Sequence, residues 1–167
     1  LMLRLARETA EAINRSGTMR AVLTRDGDAF VPLSERMTIA RAAGAGLLLS
    51  LHADALEEDE ASGGSVYTLS DEAQDAASGR MVERHQRGDL LEGLDLSRQD
   101  DRVATALMDL VRLDTAPQSE RLAQALVASL REAGAHLNSR PRRSAPLAVL
   151  NAADFPSVLV EVGFLSN

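Results

Sequence analysis

Two short apolar segments, each ending in one ionisable residue, constrain this chain more than any other feature. Residues 47–51 read LLLSL and lead directly to His52, and residues 158–160 read VLV and lead directly to Glu161. An ionisable group at the end of a buried strand is costly to desolvate, so it requires a partner, a metal ion or a chemical task. In open α/β sheets, ligands also bind at the carboxyl ends of strands. We therefore expect these two strand ends to form one site.

Helical and strand patterns alternate along the chain. Apolar residues at helical spacing predict helices over residues 1–15, from Pro32 to about Gly44, weakly over 71–87, and around 103–111 and 122–133. Short apolar runs predict strands at residues 21–23, 47–52, 65–69, 147–150 and 158–162. This alternation predicts an α/β fold with a mainly parallel twisted sheet and helices on both faces. Since no linker is long enough to divide the chain, we interpret residues 1–167 as one domain.

Composition and charge exclude several classes of protein. The net charge of −7 argues against nucleic acid as a partner, because phosphate binding needs a cationic surface. The chain has no cysteine, which excludes disulfides and thiolate metal sites. No run approaches the roughly 18 apolar residues that a membrane span requires. One basic cluster, Arg140, Arg142 and Arg143, lies in a predicted loop, where a solvated turn and an anion-binding role are both open.

The three histidines have different surroundings. His85 and His136 lie in polar segments, and we expect both at the surface. His52 ends the most apolar strand, where it is either a metal ligand or a core histidine satisfied by hydrogen bonds. Ser50 shares a strand face with His52, but two neighbouring strand residues do not make a nucleophilic triad, so a serine hydrolase is not favoured.

Three separate blocks of the sequence are recognisable together. They are residues 22–54 (VLTRDGDAFVPLSERMTIARAAGAGLLLSLHAD), residues 63–70 (GGSVYTLS) and residues 147–167 (LAVLNAADFPSVLVEVGFLSN). In order and spacing they resemble the zinc-dependent N-acetylmuramoyl-L-alanine amidases of the cell-division type, over nearly the whole chain. The resemblance implies a peptidoglycan hydrolase of the periplasmic or extracellular cell envelope. Such an enzyme cuts the amide between N-acetylmuramic acid and L-alanine during cell-wall remodelling and daughter-cell separation.

The resemblance also implies roles for the two strand-end residues. His52 matches a ligand of Zn²⁺, and Glu161 matches the catalytic glutamate that activates water. The chemistry agrees, since neutral imidazole suits zinc and a nearby carboxylate can move the proton of a zinc-activated water. In this family the other two zinc ligands would precede Leu1, and a last helix would follow Asn167. We therefore expect this chain to lack two ligands, the first strand and the last helix of the catalytic domain.

Residues 88–101 (GDLLEGLDLSRQDD) are the least regular part of the chain. They resemble a regulatory segment found in some family members, in which a helix is thought to cover the zinc until an activator protein pulls it away. Glu92 is the candidate for a carboxylate that occupies the open metal position, and Asp95 is the second candidate. The alternative is an ordinary surface loop whose leucines pack on the domain.

Two functions remain open for the chain. The first is a zinc amidase that acts on peptidoglycan. The second is a catalytically silent domain of the same fold that binds cell-wall glycopeptide or a cell-division partner. The presence of both His52 and Glu161 favours the enzyme.

Overall fold

The computed structural model describes residues 1–54, 63–91 and 102–164, which form two compact units, Leu1–Gly46 and Leu47–Asn167. The first unit contains helices α1 (Met2–Ser16) and α2 (Leu33–Ala42). The strand predicted at residues 21–23 is wrong, because this segment is in no strand. Instead, the side-chain oxygen of Asn14 accepts a hydrogen bond from the Ala21 N–H at 2.8 Å, and the Asn14 amide donates to the Ala21 carbonyl.

The second unit is built on a four-stranded sheet. Its elements in chain order are β1 (Leu48–Asp54), β2 (Gly64–Leu69), α3 (Ala76–Leu91), α4 (Arg102–Glu132), β3 (Leu137–Ala145), a 3₁₀ turn (Ala148–Leu150) and β4 (Ser157–Phe164). The strands lie in the order β1-β4-β2-β3. β1 is parallel to β4, β2 is parallel to β3, and only the central β4–β2 pair is antiparallel. The predicted mainly parallel sheet is therefore confirmed for the described strands.

The two faces of this sheet have different chemistry. On one face, Val66, Val158 and Val160 form a buried cluster with Ala123 and Val127 of α4. Because side chains alternate along a strand and paired residues share a face, the residues next to these valines point to the opposite face. The apolar packing of α4 thus leaves the other face available for polar side chains.

Two predicted boundaries in the second half of the chain are wrong. The basic cluster Arg140, Arg142 and Arg143 belongs to strand β3 and not to a loop. The apolar run at 147–150, predicted as a strand, contains the 3₁₀ turn, in which Val149 and Leu150 are buried. β3 lies at an edge of the described sheet. An edge strand tolerates charged residues and proline, which made β3 resemble a loop.

The two helices predicted at 103–111 and 122–133 form one helix, α4, with Pro117 in its interior. A proline there costs about 3 kcal/mol, so a break is the normal expectation. α4 stays continuous because it packs on β2, β3 and β4. In the described part of the chain, no helix combines the length and apolarity needed to cross a membrane.

Gly63, immediately before β2, allows a close approach between β2 and β3. Its φ is +88°, and a Cβ at this position would lie 2.5 Å from the backbone carbon of Leu137. The neighbouring Gly64 donates a backbone hydrogen bond to the His136 carbonyl at 2.8 Å. The strand entry therefore depends on the absence of a side chain at residue 63.

We predict that Gly63→Ala lowers the free energy of unfolding by about 2–4 kcal/mol, because it adds left-handed backbone strain to a backbone clash. The matched control is Gly79→Ala in α3, where nothing lies within 4 Å of the added carbon. The control should raise stability by up to about 1 kcal/mol, through higher helix propensity. Denaturant unfolding of the three proteins checks both values, and wild-type stability of Gly63→Ala would contradict the argument.

Candidate functional site

The two strand-end residues lie side by side. His52 of β1 and Glu161 of β4 are paired in the parallel register, one step beyond the pair Leu51 and Val160. Neighbouring strands are about 4.8 Å apart, and paired side chains point to the same face. Since Val160 faces α4, His52 and Glu161 face the opposite side of the sheet. The expectation that these two strand ends meet is confirmed, whereas their chemical roles remain predictions.

Glu161 is enclosed by the sheet. Only 1% of the surface of Glu161 is exposed, and this residue is flanked by His52 on β1 and by Ser65 on β2. Ser65 is itself buried, at 5% exposure. The three residues form one row across three strands, with Glu161 in the centre. A buried carboxylate in such a row is held in a fixed orientation by the strands on both sides, as a general base requires.

A second histidine joins this row, against expectation. The rings of His52 and His85 lie 4.7 Å apart between centroids, with planes inclined by 42°. His85 was expected at the surface, and that expectation is wrong because its helix turns this side chain towards β1. His136 is exposed, as expected.

The sequence contained only a weak signal for His85. Ser78 and Met81 of α3 are fully buried, and His85 follows Met81 by four residues. Residues four apart lie on the same face of a helix, so the buried face of α3 also carries His85. The weak apolar periodicity of this helix concealed that face.

The N-terminus of α3 is linked to β3 by an ion pair. One carboxylate oxygen of Asp75 accepts a hydrogen bond from the Ser78 N–H at 2.8 Å, which is the pattern of an N-cap. The other oxygen lies 2.6 Å from the Arg143 guanidinium, which also donates to the Asn138 side chain at 3.0 Å. The hydrogen bonds from Ser78, together with the nearby Arg143, hold the pKa of Asp75 below its usual value. Arg143, one of the three arginines of the basic cluster, is therefore a structural residue.

The described residues do not provide a complete set of ligands for a metal ion. Among those residues, no three histidine, cysteine, aspartate or glutamate side chains form a group that could hold a metal ion. Glu92 and Asp95, the regulatory candidates, lie outside the described residues. His52 is in register with Glu161, and its ring lies beside that of His85.

The family of the chain follows from its sequence. The profile of the N-acetylmuramoyl-L-alanine amidase family matches residues 1–167. The chain belongs to this family. It is 35% identical over 161 residues to the amidase AmiA of Salmonella typhimurium, covering 96% of this chain and 55% of that protein. It is 34% identical over 168 residues to AmiC of Neisseria meningitidis, covering 100% of this chain and 40% of that protein. The chain thus spans about half the length, or less, of these relatives.

Solved amidase structures share the fold. The N-acetylmuramoyl-L-alanine amidase of Clostridium difficile superposes with a TM-score of 0.62 at 18% identity, over 99% of this chain and 66% of that chain. The amidase of Mycobacterium smegmatis superposes with a TM-score of 0.59 at 20% identity, over 97% of this chain and 60% of that chain. These similarities confirm the α/β fold inferred from the sequence.

The Asp75 anchor gives a pH-dependent prediction for this amidase domain. Because the pKa of Asp75 is lower in the folded protein than the unfolded value of about 3.9, its contribution is complete above that pH. The contribution is lost as the pH falls through the lower folded pKa. We expect Asp75→Asn to lower the free energy of unfolding by about 1 kcal/mol at neutral pH, since it weakens the cap and removes the charge beside Arg143.

The measurement is denaturant unfolding of wild type and Asp75→Asn between neutral pH and about pH 2, with the exposed Asp71→Asn as a matched control. The difference between wild type and Asp75→Asn should shrink in acid, and the control should show little difference at any pH. A difference that stays constant to the lowest pH would refute the role of the Asp75 charge.

Proposed function

We propose that the full-length protein is a zinc-dependent N-acetylmuramoyl-L-alanine amidase of the periplasmic or extracellular cell envelope. Its substrate is peptidoglycan, in which it hydrolyses the amide between the lactyl group of N-acetylmuramic acid and L-alanine. Wall remodelling and daughter-cell separation are the processes that such hydrolysis serves. The observation that carries the proposal is the pairing of His52 with the buried Glu161, in a chain of the amidase family.

The chemistry of the strand-end residues fits a zinc ion. Neutral imidazole is a good ligand for this borderline-soft metal, and His52 is only partly buried, so an ion can reach it. His52 would hold the ion, with further ligands from elsewhere in the protein. When bound, Zn²⁺ supplies a Lewis acid and lowers the pKa of a bound water towards neutrality.

Glu161 is the proposed general base and acid. Its carboxylate accepts a proton from the water that attacks the lactyl carbonyl, and a carbon–oxygen bond forms. The carbon–nitrogen bond then breaks, and Glu161 delivers the proton to the departing amine of L-alanine. The enclosure of Glu161 between β1 and β2 supports this role, since it fixes the carboxylate next to His52.

A second candidate function is a catalytically silent domain that binds cell-wall glycopeptide or a division partner. It is the alternative that the sequence left open, and the described residues do not bring three metal-binding side chains into one group. The two candidates differ in a measurable way, because only the amidase needs a metal ion and a proton-transferring carboxylate.

Regulation by an activator protein is part of the same proposal. An activator would act by withdrawing a helical segment from the site. Glu92 and its neighbours, the candidates for this segment, directly follow α3 in the chain. The contact between His85 and His52 supports a role for α3 itself at the site.

We predict that Glu161→Gln in the full-length protein lowers amidase activity by about 10²–10⁴-fold, because glutamine cannot accept and return the proton. The assay follows release of L-alanine-terminated peptides from purified peptidoglycan. Glu132→Gln, which changes an exposed glutamate near the end of α4, is the matched control and should retain activity.

Treatment with a chelator should abolish wild-type activity, and added Zn²⁺ should restore it. Wild-type protein that binds peptidoglycan but binds no Zn²⁺ would instead support the silent binding domain. Equal activity of Glu161→Gln and wild type would remove Glu161 from the mechanism.

A further inference from the structure

We propose that His85 is a second imidazole ligand of the metal ion that His52 binds. This inference rests on the proposed zinc function and adds a ligand from α3, which approaches the site from outside the sheet. Three observations carry it: the distance between the two rings, the route of α3 across the sheet, and the identity of the groups beside the rings.

The ring distance suits a shared ion. Two imidazoles bound to one tetrahedral zinc, each at about 2.0–2.1 Å, have ring centres about 5 Å apart. The His52 and His85 centroids are 4.7 Å apart, with planes inclined by 42°. The ring separation is therefore compatible with one ion between the two imidazoles.

The route of α3 explains why His85 reaches this point. The anchor between Asp75 and Arg143 lies at β3, and His52 lies on β1, three strand spacings away in the described sheet. Three spacings amount to about 14 Å. His85 follows Asp75 by ten residues, or about 15 Å of helix. The anchored helix thus has the length needed to bring His85 to β1.

Arg143, which anchors α3, and His52 also lie on the same face of the sheet. Arg143 is paired with Tyr67, Tyr67 with Leu159, and Leu159 with Ser50, so these residues share one face. By alternation along β1 and β4, His52 and Glu161 lie on that same face. The anchor of α3 and the proposed metal site are therefore on one side of the sheet, opposite α4.

The neighbouring groups favour a ligand over simple ring packing. The pair of imidazoles adjoins the buried carboxylate Glu161, which is in register with His52. A cation held between the two imidazoles would also be attracted to this adjacent carboxylate. If His85 also held the ion, it would take a coordination position that water or substrate could otherwise use.

The test uses metal binding and not activity. Full-length protein is stripped of metal and titrated with Co²⁺, which reports its ligands through visible absorption, and Zn²⁺ affinity is measured by competition with a chelator. His85→Gln and His85→Ala are compared with His136→Gln, a matched change at an exposed histidine, and with His52→Ala. Thermal unfolding identifies which of the two His85 variants retains the wild-type fold.

We expect the His85 variants to bind at least about tenfold more weakly, since loss of outer-shell partners alone costs about 10–100-fold. Their Co²⁺ absorption should also change, and His136→Gln should match wild type in both measurements. A folded His85 variant with wild-type affinity and absorption would overturn this inference and leave the zinc proposal intact. Wild-type protein that binds neither ion, or binding that survives His52→Ala, would overturn the zinc proposal itself.

Discussion

The parallel pairing of β1 with β4 is the contact on which the rest of the structure depends. Leu51 is paired with Val160 on the face covered by α4, and the next pair is His52 with Glu161 on the opposite face. A slip of one residue in either strand would exchange the faces, exposing apolar side chains and burying an imidazole or a carboxylate under α4. Hydrophobic packing therefore sets the register, and the register assembles the polar row. The residues proposed for catalysis are aligned by residues that take no part in the chemistry.

Glu161 occupies a position that serves reactivity more than stability. It lies on β4, which has β1 on one side and β2 on the other, and only 1% of the residue is exposed. A carboxylate removed from water in this way destabilises the fold unless a partner compensates it. The valine cluster against α4, on the reverse of the same strands, supplies apolar stabilisation that offsets this cost. Edge strand β1 gives His52 a different environment, because one of its sides is not covered by a described strand. The contrast between an enclosed carboxylate and a partly exposed imidazole suits a proton carrier next to a metal ligand.

The sequence predicted the parts of this structure that depend on local pattern. The apolar runs before His52 and Glu161 identified β1 and β4. Because ligands bind at the carboxyl ends of strands in such sheets, the two residues were expected to lie together. The same reasoning failed at β3, because the arginine-rich sequence of an edge strand carries no apolar alternation. It also failed at His85, whose position depends on the distant ion pair of Asp75 with Arg143. Such long-range contacts leave little trace in the periodicity of one helix. The proposed zinc and catalytic roles came from resemblance, since spacing alone left His52 open between ligand and core residue.

The two ends of α3 are held by different kinds of interaction, and this difference bears on regulation. At β3, a hydrogen-bonded ion pair and an N-cap fix the start of the helix, and neither involves the site. At β1, the ring of His85 contacts the ring of His52. Under the proposed metal role, the strength of the second contact depends on whether an ion is bound, whereas the first does not. Met81 lies between these two contacts and is fully buried, so movement of His85 with the ion pair intact would require α3 to bend near Met81.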